Sequence, residues 1–389
     1  MSMVIHSALL VSGGRAVRDG WIRVEGGGIV GQGDGEGWRA AAQAGDDVLD
    51  AVDIAGQGAV LTPGLIDLHG HGAAGAAYDD GTDAIRRARA HHRRHGTTRA
   101  VVSLVTARLP DLEARVTEIA QLARQDDDVL GSHLEGPFLD PAHHGAHELS
   151  LLRAPDADAV TRLLAAGVVD GAQTIRQVTI APELPGALAA IRQIVASGAI
   201  AAIGHTDADA ATTAAAIDAG ATLVTHAFNA MPAIHHRRPG PIPVAAREER
   251  VVLELIADGV HVDDAVMLLL LRAAPGRVAL VTDAMAATGM ADGDYTLGSL
   301  EVVVADGVAM VRGTDTIAGS TLTQDAAVRR VVALGVDLPD AVDAATGVPA
   351  RVLGREDLGS LRVGAVADAV LWTRDLEVLR VWTAGVPEH

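Results

Sequence analysis

The sequence predicts an α/β protein: a (β/α)8 TIM-like barrel over residues 62–351, carrying a small β-sandwich domain made by residues 1–61 together with 352–389. Three observations predict it. Six short apolar, strand-like runs spread along the chain each end in His, Glu or Asp. Strand-like and helix-like stretches alternate between about residues 62 and 350. Both ends of the chain read as β, with glycine turns and no helical period. A polar ligand at the end of each buried strand is what a barrel needs to build a site on its C-terminal face.

The terminal segments come first. Residues 8–11, 21–24 and 48–54 read as short strands, as do 369–372 and 378–382, and pairing of the two ends gives the small β-domain. Gly26-x-Gly28-x-x-Gly31 has the spacing of a dinucleotide fingerprint. The residues after it, Gln-Gly-Asp-Gly-Glu-Gly, cannot start a helix, so the run reads as a turn and a flexible loop.

Within the barrel region, residues 99–106, 129–133, 177–180, 200–203 and 277–281 read as strands. Residues 111–124, 186–197, 207–219, 323–334 and 339–345 read as helices. Alternation at this spacing argues for a parallel sheet, and ligands at so many strand ends argue for closure. Residues 290–315 break the rhythm and read as an inserted hairpin around Asp306-Gly307. The apolar pattern from 262 to 271 reads as core packing, and His91-His92-Arg93-Arg94-His95 as a solvated helix end.

Bulk properties narrow the function. The 389 residues suit a large domain plus a smaller one, and an apolar content of 49% with only 2% aromatics implies a core of Ala, Val, Leu and Ile. There is no cysteine, so a metal must be held by His and carboxylates. A net charge of -19 argues against nucleic-acid binding and requires a local cationic pocket for any anionic substrate. The first residues lack a basic segment followed by a long apolar one, and no apolar run reaches the ~18 residues of a membrane helix. A soluble cytoplasmic protein, with no nucleic-acid or membrane partner, is expected.

The candidate chemistry follows from residue type and position. His69 and His71 are two apart after an apolar run, so on a strand both imidazoles share one face and can grip one ion. Glu135, His205 and His226 each follow a short apolar strand beside small residues. One Glu and two His with an open position suit a hydrolytic Zn²⁺ site, where bound water is acidified toward ~7. Asp283, after the last apolar barrel strand, can take a proton from water and return it to a leaving amine, although an aspartate there also suits a helix N-cap. Arg237 lies in His235-His236-Arg237-Arg238-Pro239-Gly240 and reads equally as a phosphate fork or as a solvated loop charge. His143 and His144 sit on a loop and read as incidental.

The strings His133-Leu-Glu-Gly-Pro-Phe138, Gly145-Ala-His147, Gly204-His-Thr206, Thr225-His-Ala-Phe-Asn-Ala-Met-Pro232, Ala257-Asp-Gly-Val-His261, Val281-Thr-Asp283, Ala318-Gly-Ser-Thr-Leu322 and Gly364-Ala-Val-Ala-Asp-Ala-Val-Leu371 run in order over most of the chain. Together they resemble the amidohydrolase superfamily, and within it the N-acetylglucosamine-6-phosphate deacetylases. The resemblance implies a metal-dependent hydrolase that removes acetate from N-acetylglucosamine 6-phosphate. It implies Glu135, His205 and His226 around the principal metal, and Asp283 as general base and then acid. His147 would orient the acetamide, with Ala146 beside it, and Asn229 and Ala230 would face the sugar phosphate. Arg237 and His261, with Asp258 beside His261, would serve the phosphate, and Ile317, Ala318 and Gly319 would line the sugar site.

Retention of both His69 and His71 implies a second ion, with Glu135 bridging and Asp283 as a further ligand. One or two divalent ions per subunit are expected, Zn²⁺ first, with Fe²⁺, Mn²⁺ or Co²⁺ as alternatives. A homodimer is expected, with Arg237 able to reach the neighbouring active site. Three rivals remain: a deacetylase for the galacto epimer, a cyclic amidase, and a non-catalytic binding relative. The cyclic amidases use a carboxylated barrel lysine, and this chain has no lysine at all.

Overall fold

The structure, a computed structural model, describes residues 2–388. Its central sheet has eight strands in the chain order expected of a barrel: Leu65–Asp67, Thr97–Val105, Val129–Glu135, Ile175–Ile180, Ile200–Ile203, Leu223–Val224, Val252–Ile256 and Val278–Val281. Each pair from the second strand onward is parallel. Thr97–Val105, Val129–Glu135 and Val278–Val281 are buried at every position. Continuous burial is what parallel strands covered on both faces require, and it explains why Val, Leu and Ala recur in them on both faces.

Helices between the strands bury one face, and three of them start at aspartates. In Leu109–Leu122 the buried side chains Leu112, Val116, Ile119 and Ala120 recur at helical spacing. Asp156, Asp209 and Asp263 accept main-chain N–H groups from Ala159, Thr212 and Ala265, capping Ala157–Ala166, Ala210–Asp218 and Asp264–Ala273.

The chain divides into two compact units, one of Met1–Asp67, His92–Arg99 and Thr323–His389, the other of Leu68–His91 and Ala100–Leu322. In the first, strands from the two ends of the chain join in one sheet. Val60–Pro63 pairs parallel with Ser2–Ser12 and antiparallel with Ala369–Trp372. Ile5, Ile22, Leu61, Leu371 and Trp382 form its core. Asp368 is buried there, accepting from Arg99 Nε at 2.6 Å, Arg99 Nη2 at 2.9 Å and the Ala384 N–H at 2.8 Å.

Several local expectations need correction. Residues 48–54 are not one strand: Asp47–Asp50 is β, and the Asp50 carboxylate then caps the helix Ala51–Ala55. The glycine-rich run is not a flexible loop, since the turn at Gly26-Gly27 leads into the strand Gly28–Asp34. His92 is 1% exposed and not solvated. It falls three residues after Arg89 and four after Ala88, on the buried face of Thr82–Arg94. The insertion after Asp283 is a three-stranded antiparallel sheet, Gly293–Leu297, Leu300–Ala305 and Val308–Val311, turning at Asp306-Gly307 as expected.

Candidate active site

Every candidate ligand stands at the C-terminal end of a barrel strand. Glu135 is the last residue of Val129–Glu135. His69, His205, His226 and Asp283 each fall two residues beyond a strand's last residue. His205, His226 and Asp283 have φ of 48°, 26° and 50°, and Phe228 and Ala230 follow with 77° and 50°. Non-glycine residues pay about 1–3 kcal/mol for such a conformation, so the surrounding fold must hold these turns in place. Glycine enters where the chain passes close: a Cβ on Gly204 would lie 2.7 Å from the Thr225 Cβ, and one on Gly136 would collide with Thr106 Oγ1.

The side chains converge. Glu135 Oε1 lies 3.1 Å from His205 Nε2 and 3.0 Å from His226 Nε2, which are themselves 3.0 Å apart. On the other side, Glu135 Oε2 is 3.1 Å from His71 Nε2, and Asp283 Oδ1 is 3.2 Å from the same nitrogen. His69 Nε2 is 3.2 Å from His71 Nε2 and 3.5 Å from Asp283 Oδ1. Donors held at ~2.0 Å around a tetrahedral ion stand roughly 3.3 Å apart, so these separations are those of ligand-shell edges. Glu135 belongs to both clusters.

Tautomers decide what the donors can do. His205 Nδ1 is 2.9 Å from the His143 carbonyl, which can only accept, so the proton sits on Nδ1 and the Nε2 lone pair faces inward. His69 Nδ1 is 3.0 Å from Glu254 Oε2 and is placed the same way. Lone pairs aimed at one another and at a carboxylate repel unless a cation lies among them. The donor set therefore fits a divalent ion. His147 is the opposite case. Its Nδ1 accepts the Thr106 N–H at 3.4 Å, which puts the proton on Nε2, 3.4 Å from Glu135 Oε2.

Burial opposes charge on all these groups, and their mutual attraction decides the outcome. Burial acts to raise Asp283, but His69 and His71 hold it down to about 2. Burial likewise acts to raise Glu135, and His69, His147, His205 and His226 hold it well below the usual range. Burial acts to lower His71, but Asp283 and Glu135 push it up to about 9. For His205 burial wins and brings it down to about 4, a neutral imidazole at pH 7.

A cavity of about 340 Å³ opens onto this centre. Of the residues expected at the substrate, Ala146, His147, Asn229, Ala230, His261, Ile317 and Gly319 line it. Asp258 stands behind His261, its Oδ2 2.7 Å from His261 Nδ1. Ala318 is fully buried among Met285, Leu297 and Val302. Arg237 is not brought to this cavity. It is exposed and lines a separate one of about 690 Å³ with Asp207, Asp209, Pro232, His235 and Arg238.

Sequence reasoning missed four contributors. His143 lines the cavity and orients His205 through its carbonyl, which residue identity could not reveal. Leu297 and Asp315 reach the wall from the inserted sheet and the segment after it. Glu254 had a visible signal: a lone carboxylate inside the apolar run Val252–Ile256, and it is fully buried.

Comparison with known proteins agrees with this architecture. Over 332 residues the chain is 40% identical to an N-acetylgalactosamine-6-phosphate deacetylase of Escherichia coli O157:H7, covering 84% of this chain and 87% of that one. It is 36% identical over 341 residues to an N-acetylglucosamine-6-phosphate deacetylase of Bos taurus, covering 84% and 83%. Among solved structures, an N-acetyl-D-glucosamine-6-phosphate deacetylase of Mycobacterium smegmatis, a variant in complex with N-acetyl-D-glucosamine-6-phosphate, superposes with a TM-score of 0.92 at 43% identity and 99% coverage of both chains. Residues 60–387 match the Amidohydrolase family, and the chain belongs to it.

Proposed function

We propose that this protein is a metal-dependent deacetylase that converts N-acetyl-D-glucosamine 6-phosphate to D-glucosamine 6-phosphate and acetate in amino-sugar catabolism or recycling. The observation that carries the reading is the convergence of Glu135, His205, His226, His71 and Asp283 on one cavity that Asn229 and His261 also line, with His69 packed against His71 and Asp283. The similarity to deacetylases over most of the chain supports the same reaction.

Glu135, His205 and His226 would hold the principal ion. His69 and His71 would hold a second, with Glu135 and Asp283 beside them. Nitrogen and oxygen donors of this kind accept Zn²⁺ first and also Fe²⁺, Mn²⁺ or Co²⁺. A bound divalent ion supplies Lewis acidity toward the amide carbonyl and toward water. Asp283, ionised at neutral pH, takes the proton from the attacking water and hands it to the nitrogen as the C–N bond breaks. His147 presents its Nε2–H to the acetamide oxygen. His261, which burial acts to lower but Asp258 raises, stands on the cavity wall where a phosphate would be recognised. Binding energy from the phosphate fixes the amide at the reacting centre. Arg237 adds to phosphate binding from a neighbouring subunit of a dimer in the cytoplasm. Among the described residues no helix is long and apolar enough to cross a membrane.

A second reading is the galacto epimer, favoured by the 40% identity to the Escherichia coli O157:H7 enzyme. Acetate release from N-acetylglucosamine 6-phosphate, N-acetylgalactosamine 6-phosphate and unphosphorylated N-acetylglucosamine separates the readings. The gluco phosphate should give the highest kcat/KM. A higher value for the galacto phosphate selects the second reading, and no acetate from any of the three rejects both.

A further inference from the structure

Glu254 is fully buried inside the barrel and takes no part in the chemistry assigned above. Its Oε2 accepts from His69 Nδ1 at 3.0 Å and from the main-chain N–H of His226 at 3.2 Å, and Gln177 Nε2 donates to its Oε1 at 3.1 Å. One carboxylate thus touches a member of each ligand cluster: the ring of His69 and the backbone of His226. A buried carboxylate is costly unless it is paired and hydrogen-bonded, and Glu254 commits both of its oxygens to such bonds. Glu135, Asp283 and Glu254 together bring three negative charges to a site whose cavity wall contains neither arginine nor lysine.

The other imidazoles show why Glu254 matters. His205 is oriented from behind by the His143 carbonyl. The Nδ1 atoms of His71 and His226 are buried without a hydrogen-bond partner among the described residues. In the His69–His71 pair, His69 therefore has its Nδ1 set by a carboxylate, Glu254, and His71 does not.

We propose that Glu254 is a positioning residue for the second ion. It fixes His69 as the Nδ1–H tautomer with the Nε2 lone pair aimed at the centre, and it raises the basicity of that nitrogen. This rests on the two-ion reading given above. Loss of such an outer partner weakens ion binding by about 10–100-fold. Because Glu254 reaches only the backbone of His226, the position formed by Glu135, His205 and His226 keeps its ligands without it.

The test compares the full-length wild type with Glu254→Leu and Glu254→Gln. Each is stripped with a chelator and equilibrated against buffered free Zn²⁺, and bound ions are counted by mass spectrometry across the titration. The wild type should take two ions per chain. Glu254→Leu should take one ion at wild-type affinity and bind the second at least ten-fold more weakly. Glu254→Gln, which still accepts from Nδ1–H without the charge, should fall between them. A second-ion affinity within three-fold of wild type in Glu254→Leu overturns the role of Glu254 alone. Should Glu254→Leu fail to fold, the same criterion applied to Glu254→Gln decides. A wild type that takes only one ion at saturating Zn²⁺ overturns the two-ion reading, and the inference with it.

Discussion

The main-chain N–H of Asp283 donates to the carbonyl of His69 at 2.8 Å. The N–H of His71 donates in turn to Ala284 O at 2.7 Å. The extensions of the first and last barrel strands are therefore joined at the level of the centre itself. The same bond that joins them fixes the backbone of the proposed base to that of a proposed ligand. Ser320 N–H donates to Asp283 O at 2.7 Å, so the positive-φ turn at Asp283 is gripped on both sides.

Because its backbone is held independently of its carboxylate, Asp283→Asn should keep the shape of the cavity and lose the base. Turnover should fall by about 10²–10⁴-fold, the usual contribution of a positioned acid–base group. KM for the sugar phosphate should stay within a few-fold. Steady-state kinetics on the metal-loaded variant check this, and an unchanged kcat removes Asp283 from the role.

Removing the ions should cost stability as well as activity. The Nε2 atoms of His205 and His226 then face one another and the Glu135 carboxylate in a buried site. An ion at a free concentration 1,000 times its Kd stabilises the folded chain by about 4 kcal/mol. Chelator-treated protein should therefore melt several degrees lower and regain both Tm and acetate release when Zn²⁺, Mn²⁺ or Co²⁺ is added back. A melting curve unmoved by complete stripping would contradict the ligand assignment.

How much of this was legible in the sequence depends on range. Runs such as Val129–Glu135 are buried on both faces, so their apolar content marked them as strands and marked their terminal polar residue as exceptional. His69, Glu135, His205, His226 and Asp283 were found that way. Glu254 was not, because it lies inside its strand and not at its end, and its function depends on which imidazole stands across the barrel. The carbonyl of His143 is invisible to any reading of residue type. His92 was misread because a His/Arg-rich helix end looks solvated until the packed face is known.

Asp325 supplies a pH-dependent share of stability. Burial acts to raise its pKa, but His95, Thr323 and Arg329 bring it down to about 2, below the ~3.9 of an unfolded chain. A carboxylate depressed on folding stabilises fully above the unfolded value, and the contribution disappears as pH falls toward the folded one. Asp325→Asn should thus cost about 2 kcal/mol at pH 7, and the difference from wild type should shrink between roughly pH 4 and pH 2. Denaturant melts at several pH values measure it. A penalty that does not change over that window would show that packing, and not charge, makes Asp325 matter.

Arg237 is the residue whose position and proposed role are furthest apart. It lines a different cavity from the one His147 and Asn229 share, so the proposed phosphate binding by this arginine is assigned to a second copy of the chain. Arg237→Ala should raise KM for the phosphorylated sugar by about 10–100-fold, the loss of a charge-assisted fork, and leave the unphosphorylated sugar unaffected. Mixing that variant with Asp283→Asn under conditions that exchange subunits gives the sharper result. In a mixed dimer one site then combines an intact Asp283 with an intact Arg237 from the partner. At substrate levels where each parent is nearly silent, activity should recover to about a quarter of wild type, since half of the dimers are mixed and each carries one complete site. If Arg237 acted within its own chain, no mixed dimer would hold a complete site and mixing would restore nothing.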